Sequence, residues 1–312
     1  MGKPRDREVT GGNAAVRYLL ALSYLPPLSE PAERALILSR SAKDLGRLPA
    51  ETRAWLADPG LQRATRLAMA AADCPACDFA PDNRDRHDDV PPPLRRLWIF
   101  ARGLNAAGWQ AQERGHLPDA LDRFETVFRL GQHLEASGFF YAGTLGFAIR
   151  HDLAITSIHG LLVDHAAGGW QERVRRFFAA VPRPAMDARR LLQRERRRLE
   201  SGLQAARHDP GLLTTLFDSP DETGGDLVAA RRQAERIVQA GRLPELAGEV
   251  LAVFDEGVAL QPRRRAFAEA SRAFWNDVRS SANPLVRLLV PNIGILLEQA
   301  AFLQADIDDL AG

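Results

Sequence analysis

The chain has 312 residues, of which 46% are hydrophobic and 26% charged, enough apolar material for one large core or two smaller ones at an ordinary charge density for a globular protein. A formal charge of +1 excludes an overall field that would steer the molecule to nucleic acid or an anionic membrane, and two cysteines exclude a disulfide framework. Positive charge is almost all arginine, with lysine only at Lys3 and Lys43, so bidentate arginine–carboxylate contacts are expected on the surface. The longest uncharged stretch, residues 136–149, is shorter than the roughly 18–20 residues a membrane span needs. The N-terminus is polar, without a run of signal-peptide type. A cytoplasmic protein with no membrane span is the expectation.

Asn13 can cap a helix over 14–25, which Pro26 and Pro27 stop. A second helix opens at Ser29 or Glu30 with Pro31 in its first turn, where a missing N–H costs little. Helices follow over 50–57 and 60–72, the latter with Leu61, Ala64, Leu67 and Ala71 at three- and four-residue steps. Residues 74–93 are rich in Pro and Asp and have no period. A structureless stretch of that length marks a functional loop, a connector or a boundary, and here it is read as the seam between an N-terminal bundle (1–73) and a central region (94–182).

Helical periodicity resumes over 94–115 and 117–136, with turn chemistry at Gly115 and Pro118 between them. Residues 139–165 are the most apolar segment, with Gly143 and Gly146 leaving a flat surface for a close neighbour. A short amphipathic helix over 170–180 ends the central region, and a C-terminal region (183–312) carries helices over 184–206, 226–240, 244–260 and 262–280. A last segment over 284–310 should kink or break at Pro291 or Gly294. No stretch has period-2 alternation, so the fold class is all-α, a helical bundle or α-solenoid-like array of antiparallel helix pairs.

Gly108, Gly115, Ala120 and Phe124 carry a resemblance. At these positions the central stretch 101–134 resembles the tetratricopeptide repeat, a helix–turn–helix unit with small residues where its helices cross. Gly108 falls on the small position of the first helix, Gly115 near the turn, and Ala120 and Phe124 on the small and large positions of the second. Trp109, Ala111 and Gln132 depart from the family pattern, and the repeat period is not sustained elsewhere. The order of elements is also similar to that of a group of bacterial all-helical proteins. What the repeat resemblance implies is a non-enzymatic scaffold whose stacked helices offer a groove to a protein or peptide partner. The first helix of the hairpin would line that groove, with Arg102, Asn105 and Gln110 as polar contacts and Trp109 either as an aromatic anchor or, the reading favoured, as a plain core residue.

Three other patterns bear on chemistry. Cys74 and Cys77 have the spacing of half a zinc site, and His87 follows, but a structural zinc needs four ligands and there is no second cysteine pair. The expectation is a loop pinned to the core, with no metal or other cofactor. His151–Asp152 resembles the paired ligands of the all-α metal-dependent phosphohydrolases of HD type, with His116 before and Asp209 after in loosely fitting order. His–Asp pairs also occur at His87 and His208, so chance competes with that alternative. Finally, residues 183–207 hold eight arginines against Asp187, Glu195 and Glu200, with Arg190, Arg194 and Arg197 forming a ridge. Clustered arginine suits phosphate contacts. The stretch has no aromatic residue for stacking on bases, so a solvated face or an acidic protein partner is favoured over nucleic acid.

Overall fold

The computed structural model of the chain describes residues 12–79, 93–137, 140–166, 169–209, 232, 235–260 and 267–312. It is about 80% helical and has no strands among the described residues, an all-α protein. The chain forms two compact units. The first gathers the described residues up to Met186 together with Leu303–Gly312, and the second takes Asp187–Phe302.

In the first unit, α1 (Ala14–Ser23) starts at Asn13, whose side-chain oxygen accepts from the Ala15 amide. It lies against α4 (Pro59–Ala72), with α2 (Glu30–Leu38), a 3₁₀ turn (Ala42–Arg47) and α3 (Ala50–Leu56) between them in sequence. The described part of the loop after α4 is tied to α1. Asn13 binds Asp78 through both its amide groups, at 2.7 and 2.9 Å, and the Ala14 amide donates to the Ala76 carbonyl at 2.8 Å. The change of unit comes at Asp187, close to the border expected at residue 183.

The central hairpin is α5 (Leu94–Glu113) and α6 (Leu117–Ala136), the bounds the periodicity predicts to within two residues. Gly115, at φ +75°, supplies the left-handed turn, and the His116 amide reaches back to the Ala111 carbonyl at 2.9 Å. α6 is the centre of the unit. Its Leu121, Phe124, Val127, Phe128, Leu130 and Leu134 are fully covered, each large side chain worth about 1.5–3 kcal/mol of burial.

Against α6 runs α7 (Phe140–Ala148), which passes without a break into a π-helical segment (Ile149–Ile155) and then α8 (Thr156–Asp164). Gly131 and Gly146 let α6 and α7 touch along their backbones, since a Cβ on either would sit 2.5 Å from the other's carbonyl oxygen. α9 (Trp170–Ala179) closes this part, with Arg173 bound to Asp122 and Glu125 of α6.

The second unit contains α10 (Ala188–Ala206), α11 (Leu243–Val258), α12 (Phe267–Ser280) and α13 (Pro284–Leu289). The basic helix starts four residues later than Pro184, because Asp187 caps it by accepting from the Arg190 amide at 2.9 Å. α10 packs on α11, and α11 on α13. The remaining helix, α14 (Ile293–Ala311), begins in this unit and ends among the residues assigned to the first. The predicted break falls at residues 290–292, while Gly294 lies inside α14 with its backbone against Ser271. By length and composition alone, Pro284–Ala311 is long and apolar enough to cross a membrane. The expected helices over 226–240 and 262–280 lie partly outside the described residues.

Candidate functional site

The side chains expected to face a partner from α5 divide in two. Asn105 is 0% exposed, which corrects its placement on a groove, and Trp109, 5% exposed, takes the core place that the sequence favoured over the anchor role. Both are held inside by α8. The Trp109 indole N–H donates to Ser157 Oγ at 2.9 Å, and Ser157 Oγ donates in turn to Asn105 Oδ1 at 3.1 Å. A buried indole or amide must find such a partner, and this one lies 48 residues away in sequence. Arg102 is half-buried, donates to the Ser39 carbonyl at 2.7 Å and stacks over Trp98. Gln110 is half-buried.

The structural positions of the hairpin lie together. Gly108 sits against the ring of Phe124, where a Cβ would overlap ring carbons, and Ala120 is fully buried.

Cys74 and Cys77 are free thiols in the loop on α1. Burial pushes the Cys77 thiol up to about 12, and the Asp78 charge adds to the effect, so it is protonated at neutral pH and a poor nucleophile. His87 lies outside the described residues. What pins this loop at its other end was not visible in the sequence. His133 of α6 hydrogen-bonds the Cys74 carbonyl through Nε2 at 3.2 Å and the Tyr18 hydroxyl through Nδ1 at 2.9 Å. A carbonyl only accepts, so Nε2 carries the proton and Nδ1 accepts from Tyr18. Burial lowers His133 to about 4 despite the Cys74 bond.

The π segment divides its residues between core and surface. Arg150 points inward and is 0% exposed. It donates to Glu135 at 2.6 Å and to the Ala185 carbonyl at 2.9 Å, and lies 4.3 Å over the Phe128 ring. Burial pushes the Glu135 carboxyl up to about 7 and the Arg150 guanidinium down, while their mutual attraction works against both shifts. His151, next along, is half-exposed and stacked on Phe147, with Nδ1 2.7 Å from Asp152 and Nε2 3.1 Å from Asp306. His116 is exposed at the start of α6, and Asp209 follows α10 in the second unit. No three His, Cys, Asp or Glu side chains converge as a metal-binding group among the described residues.

The exposed hollow worth describing is on α10. It measures about 500 Å³ and is lined by Asp187, Arg189, Arg190, Gln193, Arg194 and Arg197. At 100° per residue these fall on the side of the helix opposite Leu191, Leu192, Leu199 and Leu203, which are buried. The flanking arginines are paired. Arg196 grips Asp255 through two nitrogens, at 2.6 and 2.9 Å, and also binds Glu200, while Arg198 binds Glu195. Arg189, Arg190 and Arg197 are exposed and have no ion-pair partner among the described residues.

No protein-family model, no curated protein and no solved structure matches the chain.

Proposed function

We propose that the protein is a non-enzymatic helical scaffold, an interaction module for a protein or peptide partner, with a central hairpin of tetratricopeptide-like design. The observation that carries the reading is the crossing of α5 and α6. Gly108 receives the Phe124 ring, Ala120 is buried beside it, and Gly115 makes the left-handed turn. These are the small, large and turn positions of the repeat, in its order. The same device recurs where Gly131 and Gly146 bring α6 and α7 together, so three successive helices stack by close approach of small residues.

The polar groups of these helices support the same reading. Asn105, Trp109, Glu135 and Arg150 bind other core groups, which fits rigid stacking.

The test is capture of a partner on immobilised full-length protein, confirmed by a reciprocal titration with the purified partner. Phosphomonoesterase and phosphodiesterase assays with added manganese accompany it and are expected to stay blank. Turnover that disappears in His151→Ala would replace the scaffold reading by a hydrolase.

A further inference from the structure

We infer that the arginine ridge of α10 is a docking surface for an acidic polypeptide segment, one presenting carboxylates at the three- and four-residue spacing of a helix. The inference rests on the interaction-module reading and names the surface and partner chemistry for it. Arg189, Arg190, Arg194 and Arg197 lie within about 12 Å along one side of the helix, from the rise of 1.5 Å per residue. Like charges so close repel, and Arg189 and Arg190 stand in the first turn, where the helix dipole is already positive. Asp187 lies in the same hollow, and Arg194 has an interaction of its own, which leaves Arg189, Arg190 and Arg197 as the exposed charges of the ridge.

The short helix α9 carries counter-charge for its arginines. In α9, Arg175 and Arg176 both reach Glu172. On α10 itself, Arg196 and Arg198 have acids within 3 Å. Arg189, Arg190 and Arg197 stand exposed and without such acids among the described residues. A charge cluster that costs the isolated chain stability is neutralised when a complementary surface covers it.

One observation favours carboxylates over nucleic acid: the ridge has no aromatic side chain on which a base could stack. The mode of binding is displayed a turn away, where the planar Arg196 fork takes both oxygens of Asp255. A ridge of this length matches about two turns of a partner helix.

The experiment titrates the full chain into a fluorescein-labelled helical peptide of repeated Glu-Ala-Ala-Glu-Ala-Ala-Ala and follows anisotropy at about 0.1 M salt, where exposed charges within about 10 Å still interact. Saturable binding is expected. It should weaken about tenfold in Arg189→Gln/Arg190→Gln/Arg197→Gln, from three exposed pairs of modest strength each, and stay unchanged in Arg175→Gln/Arg176→Gln. A charge-reversed pair, Arg190→Glu/Arg197→Glu with a Lys-for-Glu peptide, should restore binding. That pair answers the question if the triple variant folds poorly.

No binding to the wild-type chain, equal binding of a Gln-for-Glu peptide, or full binding by a folded triple variant overturns the ridge assignment. Tighter binding of a duplex DNA or a single-stranded RNA at the same salt overturns the carboxylate partner in favour of a phosphate polyanion. A captured partner whose affinity ignores the ridge variants would also sink this inference while leaving the interaction-module reading intact.

Discussion

Replacing Glu135 by glutamine should change how stability depends on pH in a direction that can be worked out beforehand. Burial holds the Glu135 carboxyl near 7 in the fold, against 4.5 for the free side chain. The native state therefore binds this proton more tightly than the unfolded chain. A group raised in this way contributes stability that is fully present below about pH 4.5 and lost as pH rises through about 7. At about 1.4 kcal/mol per unit, the loss amounts to about 3 kcal/mol. Glutamine keeps the shape and can still accept from Arg150, but it does not titrate. The stability of Glu135→Gln relative to wild type should therefore rise by about 3 kcal/mol between about pH 4.5 and 7. Urea denaturation at pH values across that window, followed by circular dichroism, measures the difference. Taking the difference cancels the titration of every other group. A flat difference profile, or one that falls with pH, would refute the claim that desolvation outweighs the Arg150 attraction at this carboxyl.

The opposite slope is predicted two residues earlier. His133 is held down to about 4 by burial, so its contribution is present above about 6.5 and lost as pH falls toward 4; in His133→Gln the relative stability should improve on acidification by about 3 kcal/mol. Gly131→Ala would drive a methyl into the Gly146 carbonyl and the Arg150 side chain, and chemical denaturation should register a loss of about 1–3 kcal/mol; a variant as stable as wild type would mean that α6 and α7 can separate freely. Trp109→Phe removes the indole donor to Ser157 and should cost about 1 kcal/mol while leaving partner capture intact; loss of capture with an unchanged melting curve would return Trp109 to the surface role. Protein purified without added metal should contain no stoichiometric zinc by elemental analysis, and zinc that disappears in Cys77→Ser would contradict the reading of the Cys74–Cys77 loop as a structural pin.

What the sequence determined by itself was local. Three- and four-residue apolar steps marked α5 and α6, Gly115 and Pro118 marked the turn between them, and Asn13 marked the start of α1. These signals depend on neighbours within a turn or two of helix, and the lack of period-2 alternation carried the all-α class. The ridge on α10 was legible too, because helical spacing puts Arg190, Arg194 and Arg197 on one side whatever surrounds them. The pairing of its neighbour Arg196 with Asp255, 59 residues away in sequence, was not.

Tertiary structure decided which polar residues are inside. Asn105 and Trp109 read as surface contacts from α5 alone, and only the arrival of Ser157 from α8 gives them buried partners. Arg150 sits in an apolar run whose pattern cannot reveal a charge pair with Glu135 or a bond to the Ala185 carbonyl. The Cys74 loop reads as a boundary because its anchors, Asn13 and His133, are 65 and 59 residues away. Periodicity reports which residues share a face of a helix. Whether that face meets water, a hydrocarbon side chain or a waiting hydrogen-bond partner is set by elements remote in sequence, and so only the folded chain decides it.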